Sequence, residues 1–333
     1  MADGVHVPVL LEEAVAALAV RPGGTYVDAT FGRGGHAVAL LDQLGPDGRL
    51  VAIDRDPAAE SAASVLAAHE SRFLFRRAWF SELPDVLASL AFTQVDGVLL
   101  DLGISSPQID DAARGFSFRH DGPLDMRMDP ARGESAAEFL ARATVRELTE
   151  VIRDYGEERF AQSIARAIAA ARTRGPVVRT RQLVEIVGQA IGARTRGDWG
   201  QDPATRTFQA LRIFVNRELS EVSLALPRVV SSLREGGRVA VISFHSLEDR
   251  IVKRFFARAS QPFAGDPDAA RLAIANASLP GVPLSLVGRA VKPGAAEIAR
   301  NPRARSAVMR VAERTAQPLP AHWPRGYVEE LAA

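Results

Sequence analysis

The sequence predicts an α/β fold: a mainly parallel sheet interrupted by an inserted all-helical domain. Three observations lead there. Short apolar runs alternate with Ala- and Leu-rich helical stretches over the first third, the alternation stops between Asp110 and roughly Pro203, and it resumes afterwards. Such alternation means parallel strands covered by helices on both faces.

Taken in order, Thr25 to Thr30 (TYVDAT), Arg49 to Asp54 (RLVAID), Arg72 to Phe75 (RFLF) and Val95 to Leu102 (VDGVLLDL) read as strands. The middle section shows long helical periods, as in Thr144 to Tyr155 and Glu157 to Arg172, and no convincing strand. Ala204 to Leu233 reads as one long helix, followed by a Gly236-Gly237 turn, a strand over Arg238 to Phe244 and a last strand over Ala307 to Ala312. Glycine and proline punctuate Gln261 to Pro293, which reads as a loop region. These elements divide the chain into a discontinuous sheet domain (1–110 and 204–315), a helical insertion (111–203) and a tail (316–333). No internal repeat is visible.

The length of 333 residues suits about two domains, and 47% hydrophobic with 24% charged residues is the composition of a folded protein. Cysteine is absent. That removes disulfides, thiolate-bound zinc, iron–sulfur clusters and any cysteine nucleophile. The N-terminus has no cationic flank before an apolar run, and no stretch reaches the 18 to 20 apolar residues of a membrane span, so a cytoplasmic protein with no membrane partner is expected. Net charge is +1, but it is unevenly spread. From Arg159 to Arg217, 11 arginines face three acidic residues, and from Arg250 to Arg314, 12 basic residues face four, so each block carries +8. Two basic blocks on an otherwise acidic chain suit a polyanionic partner, with solvated helix faces as the alternative.

The first strand runs into Phe31-Gly32-Arg33-Gly34-Gly35-His36 and then a helix. Glycines there allow a tight bend and close backbone approach, and the helix start offers free N–H groups, so a nucleotide-like ligand is implied. Asp54, ending the second strand, is placed to accept hydrogen bonds from ribose hydroxyls, and Phe80 offers an aromatic face to a purine. These letters leave NAD and S-adenosylmethionine equally open. The fourth strand ends in Asp101-Leu102-Gly103-Ile104-Ser105-Ser106-Pro107-Gln108, a loop expected to face the ligand at the carboxyl ends of the strands. Amino-group methyltransferases carry a Ser/Asp-Pro-Pro-aromatic motif in this loop, and Ser106-Pro107-Gln108 resembles a variant of it. His245 ends a later strand, with a hydrogen-bonded structural histidine as the competing reading. Asp110, Asp111, Asp121, Asp125 and Asp129 fit no metal-ligand spacing and read as caps or turns, so no metal is expected.

At larger scale the chain resembles the bacterial 16S ribosomal RNA (cytosine-N4) methyltransferases. The blocks that carry the resemblance are His6 to Leu11, DATFGRGGH at Asp28 to His36, AIDRDP at Ala52 to Pro57, and LLDLGISSPQIDDAARGFSF at Leu99 to Phe118. Further blocks are DGPLDMRMD at Asp121 to Asp129, YGEERF at Tyr155 to Phe160, PATRTFQALRIFVNRELS at Pro203 to Ser220, VISFHSLEDRIVKRF at Val241 to Phe255, and NPRARSAVMRVAER at Asn301 to Arg314. The resemblance implies a Rossmann-like sheet domain with a helical insertion, S-adenosylmethionine as methyl donor, and a cytidine in the decoding centre of 16S rRNA, or of the assembled small subunit, as acceptor. It implies cofactor contacts at Gly34, Gly35, His36, Asp54, Phe80, Asp101 and Gln108.

Chemistry narrows the acceptor atom. Methylating carbon 5 of a pyrimidine normally requires a nucleophile, usually cysteine, and there is none. The exocyclic N4 amine needs no covalent intermediate, only positioning and electrostatics. Asp101, Ser105 and Ser106 are the residues expected to orient and polarise it, with His245 as a secondary candidate. A cytidine must leave its stack to be reached, and Arg206, Arg212, Arg217, Arg303 and Arg305 are the expected RNA contacts. A homodimer is an assembly the sequence leaves open. The competing functions are an amino methyltransferase on another RNA or DNA, an NAD-dependent oxidoreductase, and a non-catalytic rRNA-binding assembly factor.

Overall fold

The structure is a computed structural model and describes residues 8–192, 202–261, 281–324 and 327–328. The chain divides into two compact units, Met1–Gly103 with Leu219–Ala333, and Ile104–Glu218.

The first unit holds a seven-stranded sheet: β1 (Thr25–Asp28), β2 (Arg49–Asp54), β3 (Phe73–Arg77), β4 (Val95–Asp101), β5 (Leu233–Ser243), β6 (Leu284–Leu286) and β7 (Val308–Arg314). Their order is β3-β2-β1-β4-β5-β7-β6. The first five strands pair in parallel, and β7 and β6 close one edge antiparallel. Its helices are α1 (Leu11–Leu18), α2 (Gly35–Gln43), α3 (Ala58–His69), α4 (Leu83–Ser89), α11 (Glu218–Ser232, all but its first residue), α12 (Ser246–Ser260) and α13 (Ala295–Arg300). The central strands are apolar along nearly their whole length because both faces are covered, and Leu50 to Ile53 and Val98 to Leu100 are fully enclosed. Tyr26, Leu40, Leu50 and Leu99 meet in one core cluster.

The strand order reverses at β1, whose neighbours are β2 and β4. This is the topological switch point, where open α/β sheets bind ligands beyond the carboxyl ends of the strands. Asp28 lies opposite Leu99, so β4 runs two residues further and ends on Asp101. With a side-chain period of two, Asp28, Leu99 and Asp101 point to the same face.

The second unit is helical: α5 (Ser106–Asp110), α6 (Ala136–Arg142), α7 (Val145–Gly156), α8 (Ala161–Arg172), α9 (Thr180–Ile191) and α10 (Thr205–Val215). Helix α7 begins with a reciprocal cap, Glu147 N–H donating to Thr144 Oγ1 and Thr144 N–H to Glu147 Oε2. It buries Leu148, Val151 and Ile152 at helical spacing. The DGPLDMRMD block is structural here: Leu124, Met126 and Met128 enter the core, and Asn216 clamps them, accepting from Met128 N–H and donating to Met126 O, both at 2.7 Å. Asp111, Asp125 and Asp129 accept backbone N–H groups two residues on, as turn residues do.

Four details depart from the sequence reading. The helical unit spans 104–218, wider than 111–203, because Phe208 and Leu211 of α10 pack into its core. The long helix over Ala204 to Leu233 is two helices, broken at Asn216 and at Arg217, whose φ is 51°. Gly236-Gly237 is an irregularity inside β5, which begins at Leu233. Leu284–Leu286, inside the expected loop, is an edge strand on β7. Residues 262–280 of that loop, and His6 and Val7, lie outside the described residues.

Candidate active site

Each of the five parallel strands delivers a candidate residue of the first unit to the same edge of the sheet. Gly34, Gly35 and His36 follow β1, Asp54 ends β2, Phe80 follows β3, Asp101 ends β4 and His245 follows β5. Ser105, Ser106 and Gln108 belong to the helical unit and are described within it.

The glycine bend is shaped by sterics. Gly34 sits at φ 83°, a left-handed conformation costly for other residues, and a Cβ there would lie 2.9 Å from the Phe31 ring. At Gly35 a Cβ would lie 2.2 Å from Pro8 Cγ, so the start of α2 fits only without one. No side chain caps α2, and its first turn carries no acidic residue, so its amides and its dipole offer positive potential.

Asp54 anchors this bend. Its Oδ2 accepts Gly32 N–H at 2.7 Å and its Oδ1 accepts Asp56 N–H at 2.8 Å. Burial raises its pKa against these two bonds. Its role therefore includes holding the loop, beyond the ribose contact expected from sequence. Near it, Arg55 lies over the Trp79 ring at 4.7 Å, and the adjacent Phe80 ring is half-buried.

Asp101 is tied to the bend from the other side: its N–H donates to Thr30 Oγ1 at 2.7 Å. About a quarter of its side chain is exposed (24%), while its Oδ1 is enclosed and has no hydrogen-bond partner. Behind it, Asp28 is 1% exposed, with Oδ1 accepting Thr30 N–H and Oδ2 unpartnered. Burial pushes Asp28 up to about 7, with the Asp54 charge adding to it. Burial also holds Asp101 well above the carboxylate range, and the charges of Asp28 and Glu248 raise it further. Asp28 and Glu248 were not singled out from sequence. A usable signal existed for Asp28, since a polar residue inside a strand covered on both faces needs a reason to be there.

His36 is buried, and its Nε2 lies 3.2 Å from Val9 O, which makes Nε2 the protonated nitrogen. Nδ1 then faces Asp101 Oδ2 at 3.6 Å. His36 thus stands behind Asp101. His245 lies at the expected strand end and caps α12: its Nδ1 accepts Glu248 N–H, and its Nε2 approaches Glu248 Oε1 at 3.1 Å without hydrogen-bond alignment. The other carboxylate oxygen of Glu248 accepts Phe244 N–H at 3.0 Å.

In the helical unit, Ser105 N–H donates to Gln108 Oε1 at 2.9 Å, which closes the first turn of α5 and buries Gln108. Ser105 and Ser106 are half-buried. Among the expected RNA contacts, Arg206, Arg217, Arg303 and Arg305 are exposed. Arg212 is not: its fork is held bidentate by Glu218, at 2.8 and 2.7 Å, with 13% and 5% of the two side chains exposed. An ion pair so enclosed leaves no fork for a phosphate, and the expectation for Arg212 is corrected to a structural role.

The donor set favours a ligand with a cationic part, since Asp28 Oδ2 and Asp101 Oδ1 are enclosed without a hydrogen-bond partner. A zwitterion with a cationic centre fits both ends, its carboxylate toward the uncapped α2 and its cation toward the carboxyls. S-adenosylmethionine has that form.

Residues 3–315 match the model of the MraW methylase family. "Ribosomal RNA small subunit methyltransferase H" of Neisseria gonorrhoeae (strain ATCC 700825 / FA 1090) is 58% identical over 315 residues, covering 95% of this chain and 97% of that protein. The protein of the same name from Azoarcus sp. (strain BH72) is 61% identical over 310 residues, covering 93% and 96%. Among solved structures, an rRNA methylase from Streptococcus thermophilus overlaps 92% of this chain and 93% of its own at 9% identity, with a TM-score of 0.39.

Proposed function

The chain belongs to the MraW methylase family, and from that premise we propose that it moves a methyl group from S-adenosylmethionine to the exocyclic N4 of a specific cytidine in the decoding centre of 16S rRNA, within the small ribosomal subunit. The methyltransferase activity and the rRNA class of substrate come with the family and its relatives. The choice of N4, and of that cytidine, is the reading argued here.

One observation carries the reading. The strands that launch the glycine bend and the Asp101 loop are paired neighbours at the switch point, joined by the Asp101 N–H to Thr30 Oγ1 bond. A methyl donor on the bend would thereby stand beside Asp101. When bound, the donor supplies an electrophilic methyl on a sulfonium. The chain's own residues have the remaining tasks. Gly34 and Gly35 allow the backbone to approach the donor, Asp54 and Phe80 hold its nucleoside, and Gln108 is a further donor contact that the family resemblance implies. Asp101, Ser105 and Ser106 accept hydrogen bonds from the amine, which turns its delocalised lone pair toward the methyl and gives its proton an acceptor. His245, as the cap of α12, keeps Glu248 near Asp101. Exposed Arg206, Arg217, Arg303 and Arg305 grip the RNA backbone.

The test is mass spectrometry of 16S rRNA digests from cells with the gene, without it, and with the gene restored. Loss of one N4-methylated cytidine on deletion, regained on restoration, is expected. An unchanged digest, or loss of a methyl from adenine or from carbon 5, overturns the proposal.

A further inference from the structure

Two carboxyls stand on the paired strands β1 and β4 at the switch point. Asp28 Oδ2 and Asp101 Oδ1 are both enclosed and lack hydrogen-bond partners, at the ends of paired strands and on the same sheet face. Asp28 cannot touch a ligand directly, being 1% exposed, whereas Asp101 has an open side. Three titratable groups stand around them: Asp54 from β2 beside Asp28, and Glu248 from α12 with His36 from α2 beside Asp101. No arginine or lysine forms an ion pair with Asp28 or Asp101 among the described residues. Like charges on two neighbouring, largely enclosed carboxyls oppose each other's ionisation.

We infer that Asp28 is a positioning residue that acts through Asp101: the two carboxyls share a proton before the methyl donor binds and release it when the donor's cationic part arrives at Asp101. The inference rests on S-adenosylmethionine being the ligand and deepens that reading. The charge balance closes simply. A positive ligand replaces the proton, the ionised pair then holds the ligand, and the proton leaves to solvent. Donor affinity is therefore built to rise with pH through the range where the pair titrates, and the Asp28 charge adds to the burial of Asp101 in setting that range. Asp28 does not contribute surface to the ligand. It sets the charge state in which Asp101 waits.

The experiment is calorimetric titration of the full chain with S-adenosylmethionine in two buffers of different ionisation enthalpy. Release of about one proton per donor near neutral pH is expected, with affinity rising by up to about tenfold per pH unit below the titration range. In Asp28→Asn the release at neutral pH falls and the rise of affinity with pH moves to a lower range. 5′-Methylthioadenosine, which lacks the amino-acid part and the sulfonium, binds both proteins alike without releasing protons. A wild-type protein that releases no proton, a variant that releases as many as wild type, or a variant that loses methylthioadenosine as severely as the donor overturns the inference. If Asp28→Asn does not fold, a carbon-13 carboxyl NMR titration of the wild type with and without donor decides it: Asp28 and Asp101 both changing protonation on donor binding is expected, and a change at Asp101 alone overturns the inference. Absence of any S-adenosylmethionine binding by the wild type would instead overturn the proposed function, and this inference with it.

Discussion

Replacing Asp28 by Asn is expected to stabilise the donor-free protein selectively at alkaline pH. Asp28 is raised from 3.8 to about 7 by burial, which corresponds to about 4 kcal/mol of folded-state cost once the group is ionised, at about 1.4 kcal/mol per pH unit. The sign follows from proton binding. Between about pH 4 and pH 7 the folded chain keeps a proton that the unfolded chain has lost, so stability falls as pH rises through that window and is level above it. Asn cannot ionise and carries no such cost. It can still accept the Thr30 N–H, but its new amide hydrogens are buried, an opposing cost of about 1–3 kcal/mol at every pH. Below about pH 4 the variant is therefore the less stable protein by that same cost of about 1–3 kcal/mol, and the difference between pH 5 and pH 8 is the informative quantity. Urea unfolding of both proteins at these two pH values measures it. The variant should gain on wild type by about 2–4 kcal/mol between them, and parallel stabilities would refute the argument that Asp28 is held against its own ionisation.

Other substitutions separate structural from binding roles. Arg212→Ala should lower stability by about 3–5 kcal/mol, because it strands Glu218 in a buried site, and should leave the salt dependence of RNA binding unchanged in filter-binding titrations. Neutralising Arg206, Arg217, Arg303 and Arg305 one at a time should leave the melting temperature nearly unchanged and reduce the salt slope of RNA binding by about one each; an unchanged slope in a triple variant assigns them to solvated faces. Asp101→Asn and Ser106→Ala should each slow single-turnover methyl transfer by about 100-fold or more, and wild-type rates with donor bound normally would remove both from the reacting centre.

The sheet was legible because buried parallel strands leave an apolar signature, and VDGVLLD and RLVAID show it at full strength. The bend was legible because glycines at 34 and 35 have few other uses between a strand and a helix. What escaped depended on partners far along the chain. Nothing in TFQALRIFV says which core Phe208 and Leu211 enter, so α10 was placed with the sheet. The break at Asn216-Arg217 has no proline or glycine to announce it, because the Asn216 side chain makes it by clamping Met126 and Met128. The three residues of β6 have little strand character of their own and are ordered by pairing with β7. Arg212 looked like its exposed neighbours, since sequence cannot show that Glu218, six residues on, closes over its fork. Asp28 stood inside a quoted motif, but only its enclosure, with one oxygen unpaired, distinguishes it from an ordinary strand end.

The most direct test of the whole account is to follow the methyl group itself. Purified protein is incubated with methyl-deuterated S-adenosylmethionine and small subunits that lack the modification, and the RNA is digested and sequenced by tandem mass spectrometry. The account predicts deuterium on the exocyclic nitrogen of a single cytidine. Label on a ring carbon, on a ribose oxygen or on no nucleotide would contradict it.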